Sequence, residues 1–443
     1  MNHHSNVTTM MNIQNSDILM SNDRFHDTRE INKSNDNFKT QDSTILQEIS
    51  MLFSQFQQSD VNVKQTVFAI YTLSLKVVFK PRISNFFADN FPFEPFLRII
   101  LAPPSPEIQS YAFVCLASAC QSSNFPYQLF ANSDILLFLV SALCSEDPNV
   151  VDSSLQLLTA VSKLSIDSRD FLLQNDIITK MTQMKLTFSI AELLESLCCS
   201  SPPPSPPFIP SIANFIAHLI DGSPTQIFQL GLSSLLSLLI NHAEGIIADE
   251  FQQFLMPIFL SEMTSIVPLG LKILLFVNNP EPDFAITLLN ILEGNGFENL
   301  MNNPTVLFLI TKIFAHFEPI WRPLVQDKLF LLLESKIGAT RYKVDSEIIQ
   351  TMILYYDARH VNDLNFFNNL LRFADSAEIG CKCMKQLLLM IQSPCSQDVH
   401  EKMMELLDQS LSTFTGLMNG EDDDLAVHAD ELLSQIEQMG NQI

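Results

Sequence analysis

The sequence predicts an all-α fold of stacked helical repeats, and three observations carry that reading. Apolar residues return at helical spacing through almost the whole chain, beginning with Leu46, Ile49, Leu52, Phe53 and Phe56. Glycine is scarce, 11 in 443 residues, which disfavours sheet-rich folds with many tight turns and glycine-rich phosphate loops. The chain also matches itself when displaced by about 40 residues, the mark of a repeat architecture.

Taken in order, residues 1–43 are polar, rich in Asn, Ser and Asp and without periodicity, so they are expected to be disordered. The helical pattern opens at Ser43-Thr44. It is interrupted at Pro103-Pro104-Ser105-Pro106, Asp147-Pro148, Ser200–Pro210, Ser223-Pro224, Asn279-Pro280, Asn303-Pro304 and Ser393-Pro394. Each break reads as a helix start, with Ser, Asp or Asn as cap and proline in the first turn. Displacing the chain by one repeat pairs Pro106 with Pro148, Leu116 with Leu158, Phe130 with Leu172 and Asp134 with Asp176. The position of Ala112 recurs at Val67, Ser154, Ile190, Gly231 and near Leu269. A drifting period of about 40, with two or three short helices per unit, is the signature of armadillo or HEAT repeats. Small residues at Ala112, Ser154 and Gly231 would let helices approach closely. Each unit leaves an apolar face that only its neighbours can cover. The length alone suggests about three domains. The repeat merges them into one right-handed superhelical solenoid over 44–415, of roughly eight to ten units. Residues 416–443 form an acidic tail in which Glu421–Asp424 begin a short amphipathic helix carrying Leu425, Leu432, Leu433 and Ile436.

Composition sets the class of partner. Hydrophobic residues make up 47% and charged residues 17%, enough apolar surface for a long core. Asp and Glu number 49 against 25 Lys and Arg, a formal charge of −24. That argues against nucleic acid and anionic membranes, which want clustered cations, and favours basic protein segments. No uncharged run reaches the ~18–20 residues of a membrane span. No apolar leader opens the chain, and the eight cysteines make no disulfide framework, so reduced thiols in cytosol or nucleus are expected.

Certain stretches look like a known family. Leu193–Ile220 reads LLESLCCSSPPPSPPFIPSIANFIAHLI, which resembles the proline-rich junction between the third and fourth armadillo repeats of importin-α. Asp167-Ser168-Arg169-Asp170-Phe171-Leu172 is similar to that family's preceding linker, Ser59-Asp60-Val61-Asn62-Val63 to its first repeat, and Pro268 to a proline of its fifth. The resemblance implies a nuclear-import adaptor. In that family a Trp and, four residues on, an Asn line the concave groove and hold a basic localisation peptide. Carried over, the Trp positions are Val114, Gln156, Glu192 and Ser233, and the Asn positions are Ser118, Ala160, Ser196 and Ser237. None keeps the family residue. In later units Phe308 with Lys312, and Gln350 with Leu354, are the equivalents, and the sole tryptophan, Trp321, falls outside the array. Four lost amide contacts at ~0.5–1.5 kcal/mol each remove roughly 2–6 kcal/mol of binding. Glu192 in a former Trp slot can attract a basic side chain, and Ser118, Ser196 and Ser237 can each make one hydrogen bond. The family's basic importin-β-binding segment has no counterpart in residues 1–43, where Arg24, Arg29, Lys33 and Lys39 are outnumbered by acids.

No catalytic constellation is visible: there is no HExxH, GxxxxGK[ST], GxSxG or GxGxxG. Cys381 and Cys383, near Cys395 and His400, would point about 200° apart on a helix, which hinders joint metal binding. The expectation is therefore a non-enzymatic adaptor with no cofactor or metal, binding basic extended peptide segments in the groove. It would be found in cytoplasm, nucleus or both, with importin-β recruitment in doubt. The alternatives are an armadillo scaffold or a regulatory subunit outside nuclear transport.

Overall fold

The computed structural model describes residues 35–57, 62–77, 80–120, 130, 133–221, 224–242, 248–260, 265–294, 300, 303–338, 342–420 and 422–440. The disorder expected of residues 1–34, the Ser59–Val61 motif, Ser223 and Glu421 lie outside them. The chain divides into two compact units, Met1–Ser168 and Arg169–Ile443.

The first unit contains α1 (Asn35–Phe56), α2 (Val63–Val77), α3 (Pro81–Asp89), α4 (Phe93–Leu101), α5 (Pro106–Ala119), α6 (Ser133–Ala142) and α7 (Pro148–Leu164). α1 begins before Ser43-Thr44, a correction to the sequence reading. Once a nucleus exists, each added residue gains a hydrogen bond at low cost, and Asp42 holds Lys80 Nζ at 2.8 Å. α5 lies at the centre, packed on α2, α3, α4 and α7. A phenylalanine cluster fills the N-terminal core, with Phe91 and Phe96 4.6 Å apart and Phe53 and Phe87 5.2 Å apart. The α5–α7 seam is bridged by Ser110 Oγ, which donates to the Asn149 carbonyl at 3.2 Å.

α8 (Ile166–Gln174) runs across the division. The second unit continues with α9 (Ile177–Thr182), α10 (Phe188–Cys199), α11 (Ile209–Ile220), α12 (Thr225–His242), α13 (Gln252–Phe259), α14 (Val267–Leu274), α15 (Pro282–Glu293), α16 (Pro304–His316) and α17 (Glu318–Glu334). It ends with α18 (Tyr342–Tyr355), α19 (Leu364–Arg372), α20 (Gly380–Gln392), α21 (Gln397–Met418) and α22 (Asp423–Gly440). Helices α10, α12, α14, α16, α18 and α20 pack in succession as a ladder, with α11, α13, α15 and α17 behind them. Glycine permits two of the close crossings: a Cβ on Gly231 would come within 3.1 Å of Ile220, and one on Gly270 within 3.1 Å of Phe259. Rungs are again hydroxyls on carbonyls. Ser237 Oγ donates to Cys198 O at 2.9 Å, Thr351 Oγ1 to Thr311 O at 3.3 Å and Tyr355 OH to Phe314 O at 3.1 Å.

The tail helix α22 packs on α20 and α21 and buries Leu425, Ala429, Leu432 and Ile436, so it closes the end of the core. Every helix of this unit leaves an apolar face that its neighbours cover, which is the stacking logic of repeat proteins. Among the described residues there are no strands. The fold is an all-α, armadillo-like repeat solenoid.

Candidate functional site

Between the two buried faces of each ladder helix runs a half-buried stripe at three- and four-residue spacing. In the first unit it carries Tyr111 and Val114 on α5, with Glu107 exposed one turn before Tyr111, then Asp152, Gln156 and Ala160 on α7. In the second unit it carries Glu192 and Glu195 on α10, and Ser233 and Ser237 on α12.

The positions read from the sequence fall on helices as expected, but not all reach an open face. Val114, Gln156, Ala160, Glu192, Ser233 and Ser237 are half-buried. Ser118 and Ser196 are buried, at 6% and 2% exposure. The hydrogen-bonding capacity expected of the serines is largely taken up inside the protein. Ser196 Oγ donates to the Leu193 carbonyl at 2.7 Å, and Ser237 Oγ is the α12–α10 rung. Gln156 Nε2 is held by Asp152 at 2.9 Å, one turn earlier. Glu192 is already engaged by neighbours. Trp321 is fully buried beside Phe314 and Phe317, with ring centroids at 5.7 and 4.9 Å, and so contributes to core packing. Of the later pairs, Phe308, Lys312 and Gln350 are half-buried, while Leu354 is exposed.

One feature of the first unit's stripe was not read from the sequence. Tyr71 on α2 and Tyr111 on α5 stack at 4.5 Å with an interplanar angle of 27°. Phe68, half exposed, packs 5.5 Å from Tyr111. Beside them Glu107 accepts from Tyr111 OH at 3.1 Å and pairs with Lys64 Nζ at 2.9 Å. Those two hydrogen bonds, Lys64 first, hold the Glu107 carboxyl below its usual range. The Glu107 carboxylate beside the aromatic cluster forms a place where an ammonium is stabilised by charge. The available signal was the one-repeat separation of the two tyrosines.

The cysteines offer no counterpart. Among the described residues all are free, and burial pushes the Cys115 and Cys198 thiols up. No cluster that could hold a metal ion occurs among the described residues, and no described helix is long and apolar enough to cross a membrane.

No protein-family model matches this chain, and no curated protein matches it. Solved structures do. An engineered protein from a structural genomics consortium superposes with a TM-score of 0.63 at 12% identity, over 88% of this chain and 99% of the other. A designed armadillo repeat protein aligns with a TM-score of 0.43 at 11% identity, over 52% of this chain and all of the other. Uso1 aligns with a TM-score of 0.48 at 14% identity, over 90% of this chain and 80% of the other. At such identities a likeness speaks for fold alone, and the helical repeat solenoid stands on the packing of the helices.

Proposed function

We propose that this chain is a non-enzymatic protein-binding adaptor that holds extended basic segments of partner proteins. The observation that carries the reading is the aromatic and acidic patch of Phe68, Tyr71, Tyr111 and Glu107. Lys64 pairs with Glu107 at its edge, which supports the reading that the patch takes an ammonium. That pair is exposed, so an incoming Lys or Arg exchanges with Lys64 at little cost. Asp152, on the neighbouring α7, adds a second carboxylate to the same stripe, and the net charge of −24 steers cations toward the protein.

The narrower form of this reading, a nuclear-import adaptor shuttling between cytoplasm and nucleus, rests on the family resemblance. The scaffold alternative is favoured by one observation: Ser196 and Ser237, at former Asn positions, spend their hydroxyls on backbone carbonyls. A pull-down with importin-β separates the two.

The test is a titration of the full chain with a fluorescent Lys/Arg-rich peptide at low and physiological salt. Binding is expected at low salt, weakening as salt rises. Glu107→Lys should weaken it by roughly tenfold, since it replaces attraction by repulsion in the patch. Absence of binding at both salts sinks the reading.

A further inference from the structure

Five serines stand directly before a proline: Ser105, Ser201, Ser205, Ser223 and Ser393. Ser223 lies outside the described residues. Helix capping would give each of these serines a structural task, and the structure separates those that have one from those that do not. Ser105 Oγ accepts from Ile108 N at 3.4 Å, and Ser393 Oγ donates to Leu389 O at 2.6 Å. Both serines are half-buried. Ser205 is different. It stands at the N-cap of a 3-10 turn, Pro206–Phe208, that leads into α11, yet its side chain makes no cap hydrogen bond. It is exposed, as are Pro206 and Pro207 after it.

Ser205 also differs from Ser201, which is exposed as well. The buried Arg169 donates to Ser200 Oγ at 3.5 Å and to the Pro202 and Pro203 carbonyls. Ser201 sits inside that clamp, and Ser205 lies beyond it. The Ser205 backbone is extended, at φ −63° and ψ 145°, in the polyproline range. Pro206 fixes the next φ and offers no N–H. A kinase pocket that leaves the amide after the acceptor without a partner takes proline there in preference to other residues. Ser205 therefore presents, already in extended form, an open hydroxyl followed by the residue such a pocket selects. The surroundings tolerate the product. Residues 196–220 contain no Asp, Glu, Lys or Arg, so no carboxylate of this stretch repels a phosphate. The amino end of a helical turn favours negative charge. Ser105, by contrast, has the exposed Glu107 two residues on.

We propose that Ser205 is a phosphorylation site for a proline-directed serine/threonine kinase. Its Oγ attacks the γ-phosphorus of a nucleoside triphosphate, the bond to the bridging oxygen of the departing diphosphate breaks, and the hydroxyl proton passes to the kinase's base. The product is a dianion on an otherwise uncharged, proline-rich turn, where it gives an Arg or Lys cluster of a partner protein a point of attachment. This goes beyond the basic-segment reading and uses none of its residues.

The experiment incubates the full chain with a purified proline-directed kinase and ATP, and follows each site over time by mass spectrometry of proteolytic peptides. Synthetic peptides spanning Ser105, Ser205 and Ser393, treated in the same way, supply the rates without a fold. Ser205 in the full chain is expected to react within about tenfold of its own peptide, since little local opening is needed. Ser105 and Ser393 should lag theirs by roughly a hundredfold, because each hydroxyl must first leave its partner and its half-buried setting. Ser205→Ala should remove the phosphate and leave the urea unfolding midpoint of the unmodified chain unchanged. Ser205 left unmodified in the full chain would overturn the proposal. So would Ser105 or Ser393 reacting as fast as Ser205 in the full chain, or a lowered midpoint for Ser205→Ala, which would show that the hydroxyl serves the fold.

Discussion

Arg169 is 1% exposed, and its guanidinium is fully engaged. It pairs with Asp170 at 2.7 Å and donates to the Pro202 carbonyl, to Pro203 O at 3.5 Å and to Ser200 Oγ at 3.5 Å. The proline-rich stretch lacks amide hydrogens of its own at these positions, so a forked donor fixes it where backbone ladders cannot. Arg169→Ala removes the one donor shared by these part-buried acceptors and should lower stability by about 1–3 kcal/mol, read by urea unfolding. Arg169→Lys should recover little, because a point donor cannot span several carbonyls. A loss under ~1 kcal/mol for the alanine variant would contradict this role. Glu334 makes a different prediction. Burial, and then the charge of Asp363, push its carboxyl up to about 7. It lines a cavity of about 360 Å³ with Ser335, Asn365, Asn368 and Asn369. The unfolded chain releases this proton near pH 4.5 and the folded chain near 7, so ionisation favours the unfolded state between those values. Melting temperature should therefore carry a component that falls as pH rises through that window, and Glu334→Gln should remove it. Neither residue's role was legible beforehand. Arg169 was read only as part of a linker motif, and its partners are some 30 residues away, across a turn of the repeat. The same limit hid the Tyr71–Tyr111 stack, whereas Val114, Gln156 and Glu192 were named through the family resemblance and lie half-buried on their helices.

At the scale of elements, helix starts were legible wherever a cap and its proline act together. Ser105, Asp147 and Asn303 each accept a backbone N–H of the first turn and precede Pro106, Pro148 and Pro304. Two expected starts shift. α15 begins at Pro282, not at Pro280, because the residue before a proline is held extended, and Glu281 sits at φ −60°, ψ 142°. The loop is also tied back, with Asn278 N on Asp249 Oδ1 at 2.7 Å and Glu281 N on Gln252 Oε1 at 3.1 Å. α21 begins at Gln397, past Ser393-Pro394; Ser393 ends α20, its Oγ donating to Leu389 O at 2.6 Å, and Ser396 stands at the N-cap of α21. Which helix end a serine's side chain serves is invisible in a linear string. The docking of α22 hangs on Gly380. A Cβ there would lie 2.5 Å from the Ala374 carbonyl oxygen and 2.7 Å from Leu425 Cδ2. Gly380→Ala should cost about 1–3 kcal/mol by overpacking, and it should expose α22 to limited proteolysis before the rest of the second unit. Cleavage unchanged from the parent would show that the backbone accommodates the methyl group.

At the scale of the molecule, the repeat was legible because each unit's apolar face must be covered by the next, which forces a period onto the sequence. The two compact units were not, since the same periodicity runs through the division at residues 168 and 169. The family resemblance anticipated helical repeats correctly and said little about the site, because stacking constrains buried positions while the stripe between them is free to change its chemistry. That freedom has a consequence within the second unit. Its ladder opens with Glu192 and Glu195 on α10 and closes with Lys382 and Lys385 on α20. The two ends of the ladder thus carry different side-chain charges. An extended strand laid along it has one favourable heading and one unfavourable one. Two peptides of identical composition, one with its cations first and the other with its anions first, should be told apart by direction alone.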